Sequence, residues 1–179
     1  MNETYPSIAN GRVLKIPLYH GTSQFFVNMI MKKGLGAIDI VDDWHLVDLL
    51  KELLSLANQH SAIDEFDSMI YQQVIDQNIT AGGFNWRHGS VYVSAAKSDA
   101  YRYAQKKKGS EILTMVDELR EIVEDQIELD ISDIVTRYPN AFEALKGVHM
   151  PAIIRISNAP IFYLRTESGD DPSSCPSPL

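Results

Sequence analysis

Leu18-Tyr19-His20-Gly21-Thr22-Ser23, followed by Phe25-Phe26-Val27-Asn28-Met29-Ile30 and closed by Lys33-Gly34-Leu35-Gly36, is the stretch around which the chain is organised. Val13 to Tyr19 alternates apolar and polar residues loosely, the period of a strand, within a first strand expected over 12–19. His20-Gly21-Thr22 is expected to stop that strand. Thr22 or Ser23 can then cap a helix over 23–33 through its side-chain oxygen, and Gly34 suits the left-handed position after it. The pattern is strand, polar turn, short helix, glycine stop. His20 falls where the backbone opens at a strand end, a common place for ligand sites on mixed folds. A hydrogen-bonded structural histidine fits the same position.

The totals narrow the class. At 179 residues, 45% apolar and 22% charged, the chain has the size and proportions of one soluble globular domain. No stretch is apolar enough to span a bilayer, and Met1-Asn2-Glu3-Thr4 lacks the layout of a secretory signal. Cys175 is the only cysteine, so a disulfide scaffold is excluded and a reducing compartment is expected. The expected location is the cytoplasm, or another cell's cytosol reached by a signal of another kind. The net charge of −8 argues against a polyanionic partner, so nucleic acid is disfavoured. Lys106-Lys107-Lys108, the one basic run, reads as favourable charge on the last turn of a helix before Gly109.

Along the chain, residues 1–11 read as a lead-in and 38–41 as a short extended link. Two helices are expected next. Asp42 or Asp43 can cap the first, which carries Leu46, Leu49, Leu50, Leu53 and Ala57 at helical spacing. Ser61 can cap the second, with Ile63, Phe66, Ile70 and Val74 on one face. The pair is expected to form a hairpin packed on the sheet. Thr80 to Ser90 holds Gly82, Gly83, Gly89, Phe84, Trp86, Arg87 and His88, and reads as a loop able to approach a ligand.

Ser90-Val91-Tyr92-Val93-Ser94 alternates as a short strand, and Ser98 can cap the helix that runs to Lys108. Gly109-Ser110 breaks and caps again. Ile112, Val116, Leu119, Val123 and Ile127 mark a longer amphipathic helix, followed by helical pieces over 131–138 and 139–146. Strands are expected over 151–157 and 161–165. Beyond Glu167, the Ser, Gly, Asp and Pro content predicts a disordered tail over 167–179.

Two patches carry the chemistry: Tyr19-His20-Gly21-Thr22, and Val91-Tyr92-Val93-Ser94 through Lys97-Ser98-Asp99-Ala100-Tyr101. In order and local spacing they resemble the ADP-ribosyltransferase fold, in its poly(ADP-ribose) polymerase and diphtheria-toxin branch. There a strand ends in aromatic-His-Gly-Ser/Thr before a helix ending in Gly-Leu. A Gly-rich loop later leads into a Gly-x-Tyr-Phe strand, and Lys-Ser-x-x-Tyr opens a helix. The interval from Tyr92 to Ser98 is shorter than in the polymerases. Residues 42–78 and 110–147 carry no visible resemblance.

What the resemblance implies is an α+β fold with a split β-sheet core, a helical insertion over 42–78 and further peripheral helices, all in one domain over 1–166. It also implies NAD as ADP-ribose donor, with no metal. His20 would hydrogen-bond an adenosine-ribose hydroxyl, and the Gly21 backbone would pair with the nicotinamide carboxamide, helped by Ser98. Tyr101 would stack on the pyridinium ring, with Tyr92 on its other side and Thr22 beside the cofactor. A Glu late in the chain steadies the developing positive charge in relatives of this fold, and Glu167 is the candidate here. The catalytic set is therefore His20, Tyr92 and Glu167; the cofactor-binding set is Gly21, Thr22, Ser98 and Tyr101. Because the nicotinamide leaving group is already cationic, such a site needs positioning and charge stabilisation more than protonation.

The function expected is mono-ADP-ribosylation of a macromolecule, a protein acceptor first, in the manner of a bacterial toxin or effector. NAD hydrolysis could use the same site. A catalytically silent NAD-binding or protein-interaction domain would keep the fold. A serine or cysteine hydrolase is poorly supported, and His20, His45, His60, His88 and His149 have no recognised zinc-ligand spacing.

Overall fold

The computed structural model describes residues 9–10, 13–79, 91–106, 108–147 and 149–164. The loop over 80–90, Glu167 and the tail expected over 167–179 lie outside the described residues. The first strand is divided. β1 (Ala9–Asn10) pairs antiparallel with β2 (Val13–Leu14), and after a bend at Lys15 and Ile16 the chain enters β3 (Leu18–Ser23).

β3 does not stop at His20, as the polar residues there predict. It continues through Gly21-Thr22-Ser23, since β4 (Pro151–Ile156) pairs antiparallel with it from Leu18–Ile156 to Ser23–Pro151. A full-length ladder outweighs the low strand preference of glycine and serine. Ser23 is then both the last strand residue and the cap of α1 (Gln24–Lys33), its hydroxyl accepting from the Phe25 N–H at 3.2 Å. Gly34 closes α1 at φ 100° and ψ 156°, a conformation natural to glycine but outside the left-handed helical well.

The extended link expected over 38–41 is instead one helical turn, α2 (Ile40–Asp43). Asp39 caps it, accepting from the Val41 and Asp42 N–H groups. His45, at φ 54°, redirects the chain into α3 (Leu46–Gln59), so neither Asp42 nor Asp43 is that helix's cap. The leucine pattern is realised: Leu46, Leu49, Leu50, Leu53 and Ala57 are fully buried. In α4 (Glu65–Ile79) the inward face is carried by Ile75 with Tyr71 and Val74, while Phe66 and Ile70 face outward. The expected single face of Ile63, Phe66, Ile70 and Val74 is therefore corrected. α4 has apolar residues on two sides, and periodicity does not say which is covered.

α5 (Lys97–Lys106) begins ahead of its expected cap. Ser98 is its second residue, too late to cap, and the Ser94 hydroxyl accepts from the Ala96 N–H at 3.0 Å instead. Gly109, at φ 94°, breaks the chain where a side chain would run into the Phe26 ring. Ser110 then caps α6 (Glu111–Glu121), which continues into a π turn over Ile122–Gln126. α7 (Ser132–Arg137) and α8 (Pro139–Lys146) follow, the second opened by its proline as expected. The strand expected over 161–165 is a 3-10 turn at Ile161–Tyr163. Pro160 lacks the N–H that a ladder would need, and among the described residues pairing there is confined to the Val13–Pro160 bridge and the Leu14 N–H to Ala159 C=O bond.

The fold is α+β, but its main core is helical. α3 packs against α4 and α6, and Phe26, Leu53, Ile75, Leu113, Val116, Leu119, Val123 and Phe142 belong to one apolar cluster. The hairpin expected on the sheet is thus packed on α6, and residues 42–78 contribute a large share of the main apolar cluster. A smaller cluster of Leu14, Leu18, Ala159 and Ile161 lies beside the strands. Asp117, nearly fully buried in α6, is balanced by ion pairs with Lys108 and Arg120. Among the described residues no helix is long and apolar enough to cross a membrane.

Candidate functional site

The two chemical patches meet. Tyr19 exchanges both backbone hydrogen bonds with Ser94, N–H to O at 2.8 Å one way and 2.9 Å the other. Continuing that register would set Gly21 against Tyr92, but no backbone bridge joins those two among the described residues. The His20 side chain bridges the gap: its Nδ1 lies 2.9 Å from the Tyr92 carbonyl oxygen, across 72 residues of sequence.

That contact fixes the histidine's chemistry. A carbonyl oxygen only accepts, so Nδ1 carries the proton and donates. Burial pushes the His20 pKa below its ordinary value, with the bond to Tyr92 opposing. The ring is neutral at pH 7, and its Nε2 is left as an acceptor. Such an atom suits a hydroxyl donor and not an anion.

Gly21 is positioned by two neighbours. Because Tyr19 turns its backbone groups to Ser94, alternation along β3 turns those of Gly21 to the same edge, away from β4. On its α5 side, a Cβ at residue 21 would overlap the Ala100 carbonyl oxygen. Glycine is required there for space, with Ala100 and Ala104 buried on the facing side of α5. Gly21 itself is buried, and its α5 face is filled.

The remaining expected residues differ in exposure. Tyr92 is 50% exposed and Tyr101 48%, both accessible to a ligand. Ser98 is exposed in the first turn of α5, and Thr22 is buried, so its side chain is closed to solvent. Glu167, Arg87 and His88 lie outside the described residues.

Two residues outside the expected catalytic and cofactor-binding sets enter here. Tyr103 is partly buried, and burial, then its electrostatic coupling to Glu111 and to Tyr92, pushes its hydroxyl up to about 12. Tyr101 and Tyr103 stand on opposite sides of the helix, at about 100° per residue. The alanine pair Ala100 and Ala104, which marks the packed face, lies about 80° from either tyrosine and does not choose between them. The second residue is His149, whose Nδ1 lies 3.3 Å from the Ser23 hydroxyl. Burial, then the charge of Lys108, lowers its pKa. It supports the start of α1 rather than the site, and no local motif marks it. Compared with family models, curated proteins and solved structures, the chain matches none of them.

Proposed function

We propose that this chain binds NAD at the His20–Gly21–Tyr92 edge and transfers its ADP-ribose, as a single unit, to a macromolecular acceptor. The observation that carries the reading is the hydrogen bond between His20 and the Tyr92 carbonyl, which joins the two halves of the resemblance at one place. The neutral His20 ring would accept from a ribose hydroxyl through Nε2. The N–H and C=O of Gly21, both directed to the edge away from β4, match the acceptor and donor of a carboxamide. Tyr92 would cover one face of the nicotinamide ring, with Tyr101 or Tyr103 on the other. Stacking of this kind contributes about 1–3 kcal/mol per ring, and the cationic ring adds a cation–π attraction. Glu167 keeps the charge-stabilising role that the resemblance implies.

A second reading, an NAD-binding or protein-interaction domain without turnover, is favoured by one observation: the Ala100 carbonyl fills the α5 face of Gly21. A ring could then enter only along the edge.

Incubation of the protein with labelled NAD and a cell lysate, beside His20→Ala and Glu167→Gln, separates these readings. Label in macromolecules that disappears in both variants supports the transferase. Release of nicotinamide without incorporation moves the activity to hydrolysis. Calorimetric NAD binding without turnover favours the silent domain, and absence of binding overturns the NAD site. Tyr101→Ala and Tyr103→Ala should differ, the residue at the ring losing about 1–3 kcal/mol of NAD affinity and the other none.

A further inference from the structure

α4 is apolar on two sides, and among the described residues only one of them is covered. Ile75 is 1% exposed, Tyr71 and Val74 pack into the main cluster beside it, and the Tyr71 hydroxyl donates to Glu118 of α6. Half a turn around the helix, Phe66, Met69 and Ile70 are 65%, 48% and 39% exposed. Their i, i+3, i+4 spacing makes them one stripe and not three scattered side chains. Single exposed apolar residues are ordinary, but a continuous stripe rimmed by charge marks a protein-binding surface.

The rim says what would bind. At about 100° per residue, Glu65 and Asp76 lie along one margin of the stripe and Asp67 along the other. α4 contains no Lys, Arg or His, and Glu118 of the neighbouring helix adds a further carboxylate near Tyr71. We propose that this face docks an amphipathic basic helix of another protein, whose apolar side covers Phe66, Met69 and Ile70 while Lys or Arg side chains meet the acidic margins. Helix-on-stripe recognition reads i, i+3 and i+4 anchors, and complementary charge speeds the encounter. A second copy of this chain fits poorly, because α4 against α4 sets carboxylate margins against one another. An anionic membrane is repelled for the same reason. The proposal is independent of the NAD reading.

The test uses the whole protein and a synthetic helical peptide with leucines at a and d positions and lysines beside them. A twin peptide carries glutamate at each lysine position. Fluorescence anisotropy should find saturable binding of the lysine peptide that weakens with salt, with the glutamate twin at least about tenfold weaker. Phe66→Ser with Ile70→Ser should weaken the lysine peptide by at least about tenfold while the helical circular dichroism is kept. Glu65→Lys with Asp67→Lys, which leaves the stripe intact and serves if the serine variant misfolds, should reverse the preference between the two peptides. Absence of binding, equal binding of both peptides, or binding indifferent to both double substitutions would overturn the proposal. So would self-association that the serine variant abolishes, which assigns the stripe to a second copy, or stripe-dependent binding to phosphatidylserine vesicles.

Discussion

The helical body and the β3–α5 side of the molecule are held together in different ways. In the body, α3 presents five fully buried apolar residues to α4 and α6, so its stability rests on packed hydrocarbon. At the β3–α5 side the contacts are backbone and polar: the Tyr19–Ser94 pair, the His20 bond to the Tyr92 carbonyl, and a glycine seated against a helix carbonyl. Apolar packing tolerates many side chains of the right size, whereas a backbone-to-backbone fit admits few. Substitutions in the body should therefore change stability in proportion to the volume removed, and substitutions at the site should change it through geometry or pH.

The largest effect is expected in the body. Leu53→Ala removes a fully buried side chain and should cost about 2–5 kcal/mol in chemical denaturation, the range for core truncation. A loss below that of a surface substitution would break the contrast. Next comes Gly21→Ala, which adds one methyl where the Ala100 carbonyl stands. Overpacking costs about 1–3 kcal/mol, so this small change at the site should approach a large deletion in the core. Unchanged stability would mean that α5 moves freely over β3.

A smaller, pH-dependent effect follows from His20. Its folded pKa lies below the ordinary value of 6.5, so below that pH the unfolded chain binds more protons than the folded one. Its contribution is complete above pH 6.5 and is lost as pH falls toward the depressed value, with a slope bounded by about 1.4 kcal/mol per pH unit. His149 is shifted the same way. Unfolding curves between pH 7.5 and 5 should show stability falling on acidification, and His20→Gln should lessen the fall. Equal slopes would detach His20 from the effect. The smallest change is expected for Lys51→Ala, whose partner Asp48 is 3.4 Å away on an exposed helix face. It should shift stability by no more than about 0.5 kcal/mol.

The same contrast explains what could be read from the sequence. The α3 stripe was legible because helical spacing and burial coincide at Leu46, Leu49, Leu50, Leu53 and Ala57. The caps at Ser23 and Ser110 were legible for a local reason, each needing only its own side chain and a nearby N–H. The end of β3 was not legible: the partner that extends it through Gly21 and Ser23 is β4, more than a hundred residues away. At 161–165 an apolar run looked like a strand, yet Pro160 removes the hydrogen bond that would have begun it. For α4, the sequence supplies two apolar stripes and no indication of which one the fold covers. The proximity of Tyr19, His20 and Tyr92 follows from the order of the two patches only once the resemblance is added. Tyr103 was not legible, because Tyr101 and Tyr103 flank the Ala100–Ala104 face at equal angles and the sequence does not choose between them.

Ser23 belongs to β3 and to α1 at once, so no loop separates them. Mechanically this is a joint without slack. Two residues before it is Gly21, and three after it is Phe26, whose ring stacks on Trp44 at 5.8 Å with 22° between the planes. A load applied at the Gly21 edge has no flexible segment in which to dissipate before it reaches that ring pair. Trp44 is therefore placed to report on the edge, and in a Trp86→Phe background its fluorescence should shift when the edge is loaded.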